Sequence, residues 1–248
     1  MIVTILFRIK TWNSFPDQNL ELISRLCDRR FGIGGDGLIL IRKHEDLDFE
    51  MVYFNADGSK SLCGNGSRCA VNFAKHLGMI SNDTNYLTID GSYHAEIENS
   101  GIVNIHMRDI AGLEQKEGDY FLDNGSPHHI IFGDDNKTTD VYTIGKSIRE
   151  SDEYKPGGTN VNFVQILDEN SIDVRTYERG VEDETLSCGT GVTASSLAAA
   201  ENGVSSPIQI KTKGGNLSVS FDKTGDGKFE NIWLSGPAEL VFSGTFEA

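Results

Sequence analysis

The chain has 248 residues, enough for one large domain or two of ordinary size, each with its own core. Hydrophobic residues make up 38% and aromatics 9%, which excludes disorder as the default expectation. A formal net charge of −15, from 37 acidic against 22 basic residues, repels phosphate backbones and anionic lipid, so no nucleic-acid or membrane role is expected; it says little about small substrates, because a pocket can differ in sign from the whole surface.

Met1 opens an apolar run to Phe7, broken by Arg8 and Lys10, that is too short for a signal-peptide core or a bilayer span and reads as a strand. With no secretion signal, the four cysteines, Cys27, Cys63, Cys69 and Cys188, are expected as free thiols in a cytoplasmic protein. Residues 20–29 pattern as a helix, and Gly32, Gly34, Gly35 and Gly37 as a tight turn into a buried strand at 37–42. No Lys-Ser/Thr follows these glycines, which argues against a phosphate loop. Residues 49–54 read as a strand and Asn55-Ala56-Asp57-Gly58-Ser59 as a turn; Cys63-Gly64-Asn65-Gly66 then leads into a small-residue helix at 67–77. Alternating runs at 86–90, 94–98, 103–107 and 161–167 add strands, with Pro127, His128 and His129 placed in a turn. Residues 172–177 form a strand, a polar stretch runs from Glu178-Arg179-Gly180 to Ser187, and Cys188-Gly189-Thr190-Gly191 leads into a second small-residue helix at 192–202. Strands at 208–211, 217–221, 231–234 and 240–242 complete the chain.

The order strand, loop, Cys-Gly-x-Gly, helix thus occurs twice, which implies two related halves that face each other. Many short strands with few helices give an α+β fold with mixed or antiparallel sheets. A boundary near 108–114 divides the copies: an N-terminal half at 1–110, rejoined by a last strand at 237–248, and a C-terminal half at 111–236.

The first turn of a helix carries backbone N–H groups without intrahelical partners, and the dipole puts partial positive charge there. A cysteine at that position has its thiolate stabilised. Neighbouring glycines remove side-chain bulk, so the free N–H groups can hold a carboxylate at close range. Two such elements facing one another supply what inversion of an α-carbon needs: one thiolate removes the proton from one face and the opposing thiol delivers a proton to the other. The α-hydrogen of an amino acid is a very weak acid, so the carbanion must be supported by hydrogen bonds to the carboxylate in a dry, preorganised site. No pyridoxal-phosphate or dinucleotide-binding pattern is present, and no cofactor is expected. A single cysteine ahead of a helix is most often a small buried hydrophobe. It is the repetition of the whole context that points to chemistry at Cys63 and Cys188.

Asn55-Ala56-Asp57-Gly58-Ser59 with Cys63-Gly64-Asn65-Gly66-Ser67-Arg68-Cys69 closely resembles the first active-site segment of diaminopimelate epimerases, and Tyr177-Glu178-Arg179-Gly180 with Glu184-Thr185-Leu186-Ser187-Cys188-Gly189-Thr190-Gly191 resembles the second. Asp28-Arg29-Arg30-Phe31-Gly32-Ile33-Gly34, Gly125-Ser126-Pro127-His128 and Asn160-Val161-Asn162-Phe163 fall in the same order as in that family. The resemblance runs from about residue 20 to the C-terminus. It implies two pseudo-symmetric halves, each wrapping strands around a central helix, and interconversion of LL- and meso-diaminopimelate for lysine and peptidoglycan synthesis. It also implies a homodimer, the common assembly of look-alikes. Cys63 and Cys188 correspond to the paired acid and base; Asn55, Asn160, Glu178 and Arg179 to substrate-binding positions; Gly64, Asn65, Gly189 and Thr190 to the clamp on the reacting carboxylate. His128 and Glu178 would flank the thiols and influence their protonation. Family members also carry an early Gly-x-Gly-Asn-Asp-Phe-type segment whose first Asn contacts substrate. Residues 1–16 contain no such segment and Asn13 lacks its surroundings, which leaves a misassigned start, truncation or divergence as the readings.

Cys69, six residues after Cys63, leaves that helix face and reads as core beside Phe73, as Cys27 does in its apolar helix. No Cys-x2-Cys or His-Glu-x-x-His pair is present, so no metal is expected; His44, His76, His94, His106 and His129 read as ordinary packed or surface residues. Three rival readings stand beside the epimerase. They are a proline or hydroxyproline racemase of the same structural group, a non-catalytic redox or binding protein whose paired thiols oxidise to each other, and an inactive homologue.

Overall fold

The computed structural model describes residues 4–8, as backbone, together with 15–16 and 18–245. Asn13 and most of the stretch expected to hold the early family segment lie outside the described residues. Contacts divide the chain into two compact units, an N-terminal one of Ile2–Ile105 with Gly236–Ala248 and a C-terminal one of His106–Ser235.

The N-terminal unit runs β1 (Thr4–Arg8), α1 (Leu20–Cys27), β2 (Gly37–Arg42), β3 (Phe49–Asn55), α2 (Gly64–His76), β4 (Asp83–Thr88), β5 (Gly91–Ile97) and β6 (Ile102–His106). Its strands lie in sequence order. β1 pairs parallel with β2 across α1, and β3 pairs parallel with β4 across α2, while β2–β3 and β4–β5 are antiparallel. Parallel neighbours need a crossover of this kind, and here each crossover contains a helix. The α1 helix starts at Asn19, whose side chain accepts from Leu22 N at 3.0 Å, and buries Ile23, Leu26 and Cys27 against Leu38, Leu40 and Phe54. It stops at Cys27 rather than at 29, because Asp28 turns its carboxylate onto the N–H groups of Arg30 and Phe31, both at 2.7 Å. That alternative to the helical ladder is typical of Asp in turns.

The C-terminal unit runs β7 (Glu114–Lys116), β8 (Asp119–Asp123), β9 (Pro127–Phe132), α3 (Val141–Arg149), a single 3-10 turn at Asp152–Tyr154, β10 (Asn160–Asp168), β11 (Ser171–Glu178), β12 (Asp183–Thr185), α4 (Gly189–Glu201), β13 (Ile208–Thr212), β14 (Gly215–Lys223) and β15 (Phe229–Pro237). The strand order is β15-β14-β13-β11-β10-β9-β8-β7, with β12 on β11. β9 pairs parallel with β10 across α3, and β11 pairs parallel with β13 across α4; β10–β11 and β13–β14 are antiparallel. The series β1-α1-β2-β3-α2-β4-β5 is therefore repeated, pairing for pairing, as β9-α3-β10-β11-α4-β13-β14. The α4 helix is buried along Gly189–Ala199, and its small residues allow strands to pack on every side. Two of its buried hydroxyls are satisfied within the helix: Thr193 Oγ1 donates to Gly189 O at 3.0 Å and Ser196 Oγ to Val192 O at 2.8 Å.

Two sequence expectations are corrected. Pro127, His128 and His129 lie in β9, not in a turn; proline is tolerated as the first residue of a strand, where its missing N–H is not needed. Residues 240–242 form no strand: Leu240, Val241 and Phe242 are exposed, and apolar residues without a partner edge do not make a ladder.

Candidate active site

Each conspicuous cysteine is the residue at which a strand-to-helix crossover becomes helix. Cys63 caps α2 with extended backbone (φ −130°, ψ 109°), and Cys188 caps α4 in nearly the same conformation (φ −117°, ψ 117°). The Gly66 N–H donates to Cys63 Sγ at 3.3 Å, so the thiol takes the role that Ser or Asp plays at most helix starts. Cys188 Sγ lies 3.5 Å from Thr190 Oγ1. Cys63 is partly exposed and Cys188 buried, and all four cysteines are free thiols. Space is tight beside both, and tighter at Gly191. A Cβ on Gly66 would lie 3.2 Å from Cys63 Cβ, and one on Gly191 would lie 3.3 Å from Cys188 Sγ and only 2.5 Å from Asn162 Oδ1.

In the N-terminal unit, Asn55 ends β3 and organises the loop that delivers Cys63. Its Nδ2 donates to Ser59 O at 3.2 Å and Ser59 Oγ at 2.9 Å, and its Oδ1 accepts from Ser61 Oγ at 3.2 Å. Gly64 and Asn65 are buried in the first turn of α2, where Asn65 Oδ1 accepts from Arg68 Nη2 at 2.6 Å.

In the C-terminal unit, His128 is fully buried on β9. Asn162, on the neighbouring strand β10, orients it: Asn162 Oδ1 accepts from Thr176 Oγ1 at 3.0 Å, which leaves Nδ2 to donate to His128 Nδ1 at 3.1 Å and to His129 O at 3.2 Å. The neutral ring then carries its proton on Nε2, which is buried and has no hydrogen-bond partner among the described residues. Burial, and secondarily the Arg179 guanidinium, push the His128 pKa down to about 3, so the imidazole is neutral at physiological pH. Asn160 bridges the two strands beside it, its Nδ2 donating to Pro127 O at 3.0 Å and its Oδ1 accepting from Arg179 N at 2.9 Å. Arg179 follows Glu178 at the end of β11, and its Nη1 donates to Gly157 O at 3.3 Å. Asn124 Nδ2 donates to Thr190 O at 2.9 Å and ties the β8–β9 turn to the start of α4.

The structure therefore gathers Asn55, Cys63, Gly64 and Asn65 at one helix start, and His128, Asn160, Glu178 and Arg179 in the unit whose helix start holds Cys188, Gly189 and Thr190. Sequence reasoning assigned no role to Asn162, Asn124 or Arg68. The signal for Asn162 was available, because in Asn160-Val161-Asn162 the two amides share one strand face. His129 is packed, with Nδ1 2.7 Å from Tyr154 Oη and Nε2 3.0 Å from Asp119 Oδ2. For a metal ion, Asp83, His94 and Glu96 bring ligand atoms within 4.8 Å of one another on the surface of β4 and β5. His94 Nε2 lies 3.4 Å from Asp83 and 3.6 Å from Glu96, an arrangement that an ordinary exposed ion-pair cluster accounts for.

Comparison with known proteins places these features in a known context. A family model described as diaminopimelate epimerase matches residues 9–109 and 120–241. The chain is 49% identical over 234 residues to a diaminopimelate epimerase of Flavobacterium psychrophilum, covering 93% of this chain and 91% of the relative. It is 42% identical over 238 residues to a diaminopimelate epimerase of Chlorobaculum tepidum, covering 91% and 90%. Among solved structures, a phenazine biosynthesis protein of the PhzF family from Bacillus anthracis superposes with TM-score 0.66 at 14% identity, over 90% of this chain and 86% of the other. A probable proline racemase from Agrobacterium radiobacter gives TM-score 0.61 at 14% identity, over 91% and 79%. At that identity these structures speak for the fold alone.

Proposed function

The chain belongs to the diaminopimelate epimerase family of isomerases, and from that premise we propose that it interconverts LL- and meso-diaminopimelate by passing the α-proton between Cys63 and Cys188. The observation that carries this reading is the equivalence of the two thiols. Each caps the helix of the same strand–helix–strand crossover in the two copies of the repeat, and each has glycine three residues on.

In this mechanism one cysteine is a thiolate and the other a thiol. The thiolate takes the α-proton from one face of the substrate, and the thiol gives its proton to the opposite face, so the pair ends with its protonation states exchanged. The carbanion is held by the carboxylate, whose charge is met by backbone N–H groups of Gly64, Asn65, Gly189 and Thr190 at the two positive helix ends. Glu178 and Arg179 offer one acid and one base to the ammonium and carboxylate at the far end of the substrate. Asn160 supports them by fixing the Arg179 backbone, and Asn55 fixes the approach to Cys63. His128, neutral and donating from Nε2, supplies a hydrogen bond without a competing positive charge. The assembly proposed is a homodimer in the cytoplasm. The proline or hydroxyproline alternative draws on fold likeness alone, whereas diaminopimelate draws on identities of 49% and 42% over most of the chain.

The test is incubation of the reduced protein with LL-diaminopimelate in heavy water. Meso product carrying deuterium at the inverted α-carbon is expected. Absence of both product and exchange from folded, reduced protein would refute the reading and favour an inactive homologue.

A further inference from the structure

Arg68 is the buried charged side chain of the N-terminal unit among the described residues, and the proposed mechanism gives it no part. It lies in α2 at 5% exposure, with Nη2 donating to Asn65 Oδ1 at 2.6 Å. Its Nε and Nη1 are buried and find no hydrogen-bond partner among the described residues. A buried cation with idle donors is destabilising unless negative charge answers it. Helical side chains lean toward the N-terminus, and the bond to Asn65 holds Arg68 in that direction, back along the turn capped by Cys63.

Burial works against the charge on this guanidinium, and the thiols of Cys69 and then Cys63 work in its favour. Burial pushes the Cys69 thiol up, which keeps it protonated. Cys63 is partly exposed and accepts a backbone N–H at the positive end of α2, so negative charge settles there more readily. The strands packed against this turn bring Tyr53, whose ring lies beside Gly66 and whose hydroxyl donates to Asp36 O at 3.4 Å, and Tyr86, whose phenol burial raises. Neither supplies positive charge.

We propose that Arg68 is a positioning residue that holds Cys63 as the resting thiolate, making Cys63 the base that meets the first substrate. This rests on the two-thiol reading of Cys63. At rest Cys63 has lost its proton to solvent and Arg68 keeps its own throughout; the substrate's α-proton then moves to Cys63 Sγ.

The experiment is the pH dependence of iodoacetamide alkylation at Cys63, followed by peptide mass spectrometry in the intact protein and in Arg68→Met, Arg68→Gln and Arg68→Lys. The unsubstituted protein should titrate at Cys63 below the ordinary cysteine value of about 8.5. In the Met and Gln variants the midpoint should rise by about one unit or more, so that alkylation at neutral pH slows roughly tenfold. Lys should restore most of the shift, Cys188 should not move, and kcat should fall more than KM rises. A Cys63 midpoint at or above about 8.5 in the unsubstituted protein overturns the proposal whatever the variants do. So does an unchanged midpoint in a Met or Gln variant whose melting curve shows it folded. Equal shifts in Lys and Met report packing rather than charge and overturn it too. Alkylation needs no substrate, so a low Cys63 midpoint without turnover would count against the proposed function and not against Arg68.

Discussion

At Gly191 an added methyl group would meet Asn162 Oδ1 at 2.5 Å, and the same amide holds His128 and Thr176. At Gly66 the nearest neighbours are side-chain carbons of Cys63, Ile39 and Tyr53 at 3.2–3.3 Å, which can yield by a few tenths of an ångström. Gly191→Ala should therefore reduce kcat severely and Gly66→Ala only modestly, as steady-state kinetics on both variants will reveal. His128 gives a second residue-scale expectation, in pH. Its folded pKa of about 3 lies below the ordinary 6.5, so the unfolded chain binds the extra proton between those values. The contribution is fully present above about 6.5 and is lost as pH falls toward 3, at up to about 1.4 kcal/mol per pH unit. His128→Gln should flatten the loss of stability between pH 7 and 5, measured by urea unfolding at each pH; an unchanged slope would contradict the burial of a neutral imidazole. These residues also mark what a sequence can and cannot reveal. Cys63 and Cys188 stood out because their neighbours repeat, and the Asn65–Arg68 pair lies within one helical turn, whereas Asn124 meets Thr190 across 66 residues, a contact that no local pattern encodes.

Among the elements, the strands at 37–42, 49–54 and 172–177 were easier to read than the helix starts beside them. Both cysteine helices were expected to begin beyond the second glycine of Cys-Gly-x-Gly, yet they start at Gly64 and Gly189, directly after the cysteine. Propensity places glycine outside a helix, and it is the first-turn position, where backbone approach matters more than propensity, that overrides it. The α3 helix and its flanking strand β9 escaped notice for a different reason. In Val141–Arg149 the apolar residues Val141, Ile144 and Ile148 do stand at helical spacing, but the run is only nine residues long, and β9 carries two histidines where apolar residues are the usual cue. Gly145 is where α3 meets β11, since a Cβ there would sit 2.4 Å from Tyr177 Cβ. Gly145→Ala should cost about 1–3 kcal/mol through overpacking and lower the melting temperature. Because Tyr177 precedes Glu178 and Arg179, KM should rise as well.

For the whole molecule, the duplicated order strand–helix–strand–strand–helix–strand–strand is the property on which the proposed chemistry rests. One half supplies one thiol at one positive helix end, and the proposed two-thiol inversion uses two. The duplication was visible in sequence only around the cysteines, because the outer parts of the repeat, α1 against α3 and β1 against β9, share topology without sharing residues. Redox pairing of the two thiols and catalysis by them make opposite demands: a sensor needs oxidation and no turnover, an epimerase needs both thiols reduced. The most direct test replaces each thiol in turn, with LL- and meso-diaminopimelate supplied separately to Cys63→Ala and Cys188→Ala. Loss of one proton carrier should lower interconversion in both directions by roughly 10²–10⁴-fold or more in each variant, with the fold intact by circular dichroism. Substantial two-way epimerisation surviving either substitution would contradict the two-thiol mechanism.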